Sequence, residues 1–244
     1  RGGAIWTTIV TINDALKAVG YGLLVLFFAM GIFQSAVSFR DFQRPEFVLR
    51  HFIRFLLAKV AVGSAMDIMT AIFSVCGSVV QTVMGNNGGM ATAGITMPQE
   101  MVDTIESVGF LASIPLWLVS LLGSLFITIM SFILILTVYG RFFRLYFYTA
   151  LAPLPLASFA GEGTSFAGKA FLKSYIGVCM EGAVIVLACL IFSAFMSSGA
   201  PVVDTSLSAV TMSWQYIGEV IFNMLVLVGL VKGAERIVRE MFGL

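Results

Sequence analysis

The sequence predicts an all-α polytopic integral membrane protein: five transmembrane helices and one proline-broken re-entrant or interfacial segment, N-terminus outside and C-terminus inside. Three observations predict it. Apolar residues make up 59% of the 244-residue chain and charged residues 11%, with a mean hydropathy of +1.00; a soluble domain has roughly 45–50% and about 25%. The apolar residues fall in runs long enough for a bilayer core, which takes about 20 residues of helix. All but two of the 14 Lys and Arg residues lie in three clusters, 40–59, 141–173 and 232–239. Two polar loops between them have none, and basic loops stay on the cytoplasmic side.

The first 17 residues place Ile5, Ile9, Ile12 and Leu16 at helical spacing, which suits an interfacial or extended helical lead-in. The first span, about 18–38, follows Asn13, Asp14 and Lys17 and stops before Arg40, Asp41, Arg44 and Pro45. The second, about 55–83, is led in by Arg50, His51, Arg54 and Lys59; such side chains keep their heads at the lipid surface while their stems lie on apolar surface. The run GNNGGMATAG at 85–94 is too glycine-rich for a regular element. Thr96, Pro98 and Gln99 then resemble a helix start, and Glu100, Asp103 and Glu106 suit the positive end of its dipole. This lysine-free stretch, about 84–109, is expected outside.

The third span, about 110–138, is the most apolar and ends at Tyr139, Gly140, Arg141 and Arg144. The segment 145–163, LYFYTALAPLPLASFAGEG, is interrupted by Pro153 and Pro155. Proline removes a backbone donor and disfavours helix in the residue before it, so an unbroken crossing is not expected. The segment reads as a helix tail and a hairpin returning to the same side. Irregular backbone at membrane depth must be satisfied by protein or a water-filled cavity, so it needs a partner. The fourth span, about 174–196, contains Glu181; the loop 197–213 has Asp204 and no basic residue; the fifth, about 214–231, contains Glu219, with Trp214 and Tyr216 at its outer edge. The tail from Lys232 reads as a short amphipathic basic helix. Residues 1–244 thus form a single transmembrane domain whose five crossings keep the basic clusters together.

Asp67, Glu181 and Glu219 fall inside expected spans, where a carboxylate costs about 2.5–3.5 kcal/mol at the helix centre. They are expected to face protein or water, either along an ion pathway or protonated and hydrogen-bonded at helix or subunit contacts. Asp67 is the deepest by count. Small residues at 61–65 and at Gly177, Gly182 and Ala183 permit close helix approach, within the chain or between subunits. Cys76, Cys179 and Cys189 sit in apolar runs without metal-ligand spacing and read as packing residues. The net charge of +1 carries no message about nucleic acid, because the basic residues flank spans instead of forming one patch.

No catalytic, cofactor-binding or metal-binding constellation is expected. His51 is the only histidine, and no HExxH, phosphate-binding glycine loop or GxSxG occurs. Gly161, Glu162 and Gly163 form a turn.

Residues 141–196 carry a basic aromatic stretch, RFFRLYFYTA, then APLPLASF, then GKAFLKSYIG leading into a long apolar span. This run resembles the TrbL-like polytopic membrane subunits of conjugative type IV secretion systems, most closely the version on mobile elements of Gram-positive bacteria. The resemblance implies a non-enzymatic channel or scaffold subunit in the bacterial cell (inner, cytoplasmic) membrane. It implies assembly with copies of itself and with other channel subunits and ATPases, and transient contact with single-stranded DNA in transit. Arg141, Arg144, Lys169 and Lys173 would then meet acidic partners, anionic lipid or DNA, although topology and lipid also account for them. No stretch of these 244 residues reads as the sizeable soluble domain of larger relatives, and the biggest outer loop expected, about 85–109, is small. The rival reading is an ion-coupled small-molecule transporter using the intramembrane carboxylates. Transporters usually repeat their broken helices in two halves, and no break matching Pro153 and Pro155 occurs in the first half.

Overall fold

The computed structural model describes residues 3–36, 45–86, 99–198 and 208–244. Among them every regular element is helical: α1 (Ala4–Ala36), α2 (Pro45–Gly63), α3 (Ala65–Asn86), α4 (Gln99–Glu106), α5 (Phe110–Leu151), α6 (Pro153–Ala157) followed by a 3₁₀ turn (Ser158–Ala160), α7 (Ser165–Ser198) and α8 (Ala209–Phe242). Five helices contain stretches long and apolar enough to span a membrane: Ala4–Gln34, Ala65–Gly85, Ser113–Leu151, Ser165–Met196 and Ala209–Phe242. The all-α fold class with five spanning-capable helices is therefore present.

The elements run on further than the apolar segments do. The N-terminal lead-in and the first apolar run form one helix of 33 residues. Helix α5, 42 residues, is roughly 63 Å long at 1.5 Å per residue. That is about twice the ~30 Å hydrocarbon core, so it carries Arg141 and Arg144 well past its apolar centre. The basic tail is continuous with α8 and ends in a Schellman cap. Gly243 takes a φ of 62°, Leu244 N–H donates to Arg239 O at 2.9 Å and Gly243 N–H to Glu240 O at 3.3 Å, as glycine permits at this position.

The expected second span, 55–83, is divided by a turn at Ser64. Gly63 and Ser64 are weak helix formers, yet backbone bonds pass through the break: Ser64 N–H to Val60 O, 2.8 Å, and Ile68 N–H to Ser64 O, 3.0 Å. The basic lead-in becomes a separate amphipathic helix. His51, Ala58 and Val62 of α2 are buried, whereas Val48, Leu49, Phe52, Ile53, Leu56, Leu57 and Val60 are exposed. The apolar spanning stretch starts only at Ala65.

Two compact units divide the chain. The first comprises Arg1–Val79, Arg141–Met180 and Val238–Leu244, the second Val80–Gly140 and Glu181–Ile237. The first has one core joining Leu24, Val62, Met69, Leu145, Leu156 and Tyr175. The second has two smaller clusters, one around Met212, Tyr216 and Val220 and one around Ile185, Val231 and Ala234.

A proline hairpin as the candidate functional site

The hairpin lies in the first unit. Tyr148 of α5 packs its ring 5.4 Å from Phe171 and 6.1 Å from Tyr175 of α7, so the chain between them folds back on itself. Pro153 opens α6 at its first positions, where a missing N–H breaks no intrahelical bond. The same proline nevertheless deprives the preceding helix. The Thr149 carbonyl, four residues earlier, has no Pro153 N–H to accept from. Asn13 of α1, fully buried, supplies the donor through Nδ2 at 2.8 Å. Beyond α6, Ser158 Oγ donates to Pro155 O at 2.7 Å and Thr164 Oγ1 to Ser158 O at 2.9 Å, so the turn is closed by its own side chains.

The partner that irregular backbone requires is α1 and α2, which both pack on α6 and the 3₁₀ turn. Ala152, Leu156, Ala157, Ser158 and Ala160 are buried. Two glycines set the closeness of the approach. A Cβ placed on Gly20 would stand 3.0 Å from Pro153 O, and one on Gly161 would stand 2.7 Å from Phe27 O and 2.5 Å from Thr164 Oγ1. Backbone meets backbone at these two points, and backbone cannot rotate away. Phe28 of α1 and Phe55 of α2 pack alongside, their rings tilted by 53° with centroids 4.8 Å apart.

An ionic contact ties α2 to the tip of the hairpin. Glu162 Oε1 lies 3.1 Å from Arg54 Nη2, and Oε2 lies 4.0 Å from Nε2 of the buried His51. Half-exposed, the pair is worth at most about 1 kcal/mol, but it fixes which turn of α2 faces the hairpin. Elsewhere in the unit, Lys173 Nζ donates to Gly243 O at 3.2 Å and Tyr175 Oη to Met69 O at 2.9 Å. The C-terminal cap and α3 are thereby held on α7.

Of the residues singled out in the sequence, Pro153 and Pro155 are at the centre of this arrangement. Arg141 and Arg144 are half-buried on α5, Arg141 lying 5.2 Å from the Phe142 ring; Lys169 is exposed at the start of α7, and Lys173 holds the C-terminal cap. Asp67 is exposed in the first turn of α3, in the first unit. Glu181, buried, and Glu219, half-buried, belong to the second unit. Cys76 and Cys179 are buried free thiols of the first core, and Cys189 packs in the second unit. The expected loop 85–94 lies outside the described residues apart from its first two positions, and so do Asp204 and most of the loop 197–213.

Sequence reading placed Asn13 in a polar patch without a role, and did not single out Gly20 or the pairing of Arg54 with Glu162. One signal was present: Glu162 is the lone carboxylate between 141 and 173, and a single acid within a basic flank calls for a basic partner.

A family model described as "TrbL/VirB6 plasmid conjugal transfer like protein" matches residues 5–153. The match takes in α1, α2 and α5, which flank the hairpin, and reaches Pro153; it overlaps the run 141–196 only up to that residue. No curated protein and no solved structure matches the chain.

Proposed function

Because the chain belongs to the TrbL/VirB6 plasmid conjugal transfer-like family, we propose that it is a non-enzymatic channel or scaffold subunit of a conjugative type IV secretion machine, oligomerising in the bacterial cell membrane. The observation that carries this reading is the family match over the helices that grip the hairpin. The hairpin's chemistry supports a contact role over a catalytic one. Its prolines and small residues are packed against α1 and α2, and its one carboxylate is paired with Arg54. Around that fixed core Phe147, Leu151 and Phe166 remain exposed, offering an apolar rim to a neighbouring subunit. The orientation follows the basic clusters, with Arg141, Arg144 and Lys169 on the cytoplasmic side, near the ATPases that supply the energy and the DNA in transit.

Plasmid transfer from a donor strain lacking the gene tests the role. Transfer is expected to be lost, and to be restored by the unmodified chain but not by Phe166→Asp. The purified unmodified protein is expected as a particle of several copies or in company with other secretion subunits. Undiminished transfer without the gene, or a compact monomer with no companion, would overturn the proposal. For orientation, an impermeant thiol reagent applied to intact cells is expected to label Asn87→Cys and Ser206→Cys; protection of either reverses the map.

A further inference from the structure

The second unit contains a cavity of about 860 Å³ between the first half of α5 and the first turns of α8, lined also by Ile105 of α4. Its volume lies within the roughly 300–1,000 Å³ of small-molecule sites. Trp117, Leu116 and Ile114 form one wall, Tyr216, Ile217 and Val220 the other. The hydroxyls of Ser113, Ser120 and Ser124 also line it but are already spent on carbonyls of their own helix, Phe110 O, Trp117 O and Leu121 O, at 2.6–2.9 Å. Ser213 differs. It lines the cavity, is 5% exposed, and its Oγ has no hydrogen-bond partner among the described residues.

We propose that this cavity holds an acyl chain of a membrane lipid whose headgroup carries an ammonium group, such as phosphatidylethanolamine. Both walls belong to helices able to span a membrane, where the medium available to fill an apolar space is hydrocarbon. A second helix does not fit between them. α5 and α8 touch at Gly123, where an added Cβ would lie 2.5 Å from Ile217, and a helix with its side chains is about 10–12 Å across. Ser213 Oγ, buried and unpaired, is a donor for a lipid ester carbonyl. The headgroup preference follows from charge. Residues 80–140 and 209–231 contain no Lys or Arg, and α4, which supplies Ile105, exposes Asp103 and Glu106. An anionic headgroup would meet these carboxylates with no Lys or Arg in the segments that line the cavity, whereas an ammonium meets its counter-charge.

Native mass spectrometry of the whole chain in detergent, titrated with phosphatidylethanolamine and phosphatidylglycerol of identical chains, tests this. One phosphatidylethanolamine is expected per chain, with phosphatidylglycerol held several-fold more weakly. Ser120→Phe should abolish retention. Ser213→Ala, which removes no packing volume beyond the hydroxyl, should weaken it about fivefold, the loss of one net hydrogen bond. Asp103→Asn combined with Glu106→Gln should erase the headgroup preference and leave one lipid bound. Equal retention of the two lipids by the unmodified chain overturns the headgroup assignment. Full retention in both Ser120→Phe and Ser213→Ala overturns the site, and so does loss of self-association without lipid loss in Ser120→Phe, since a second copy would then occupy the groove.

Discussion

The hairpin of the first unit and the cavity of the second stand opposite to what their sequences suggest. The hairpin has poor helix signals, two prolines and a Gly-Glu-Gly turn, yet most of it is buried and the carbonyl its proline displaces is met by Asn13. The α5 and α8 walls of the second unit are continuous apolar helices, α5 with one internal proline, Pro115, yet they leave an open space and an unpaired hydroxyl between them. Regularity along the chain and density of packing are separate properties. A broken segment survives in an apolar environment only if other elements satisfy it, so the break itself demands close packing. A continuous helix satisfies nearly all of its own backbone, α5 losing only the one donor that Pro115 lacks, and leaves its neighbours free to stand apart.

The largest way to break this contrast is to crowd the hairpin. Gly161→Ala drives a methyl against the Phe27 carbonyl, 2.7 Å away, with no helix propensity to recover, because Gly161 is extended at φ −100° and ψ 142°. Destabilisation of about 1–3 kcal/mol is expected, toward the upper end because the obstacle is backbone. Thermal unfolding in detergent, followed through Trp6 in a Trp117→Phe, Trp214→Phe background, reads it in the first unit. An unchanged transition would mean that α1 and the hairpin are not in rigid contact. Next in size is Asn13→Leu. It strands the Thr149 carbonyl in the core at a cost of about 1–3 kcal/mol, and the same melt should show it, with Asn13→Gln recovering part of the loss if the amide is what matters.

How much of this was legible follows from the same physics. The five apolar helices show in the sequence because a span must be apolar along its whole length, and the hairpin shows because proline acts locally. What grips the hairpin does not show: Asn13 and Thr149 are 136 residues apart, and no local pattern names the donor that will replace a proline's missing N–H. The Ser64 turn was hidden because apolar residues continue on both sides of it. Hydropathy is likewise blind to the cavity, since Trp117, Ile114 and Ile217 look the same in sequence whether their helices touch or part.

A smaller effect sharpens the electrostatic half of the comparison. Glu162→Gln removes the charge facing Arg54 at 3.1 Å and is expected to cost no more than about 1 kcal/mol, since the pair is half-exposed. The loss should shrink further in high salt, where surface pairs are screened. A cost as large as that of Asn13→Leu would mean that Glu162 is shielded from solvent by something beyond the single chain, and a neighbouring subunit on the hairpin rim would be the candidate. Comparing the melt of the assembled particle with that of the dissociated chain separates the two cases.

The smallest effect is the most discriminating. A Cβ on Gly123 would lie 2.5 Å from Ile217 Cγ2, as short a distance as any that Gly161 faces, so distance alone ranks the two substitutions together. Their surroundings do not. Gly123 is inside a helix, where Ala is favoured over Gly by about 0.8–1.0 kcal/mol, and the obstructing atom is a side chain that lines a cavity. Ile is stiff at χ1, so relief means pushing it off its rotamer at about 0.5–1.5 kcal/mol. The two contributions nearly cancel. Gly123→Ala should therefore leave the unfolding of the second unit within about 1 kcal/mol of the unmodified chain, read through Trp214 with Trp6 and Trp117 replaced by Phe. If it instead destabilises as Gly161→Ala does, the space beside Ile217 is already filled, and the acyl chain is the first thing to look for there. Repeating the melt after exhaustive delipidation then decides: a penalty that vanishes with the lipid belongs to the occupant, and one that persists belongs to the helices.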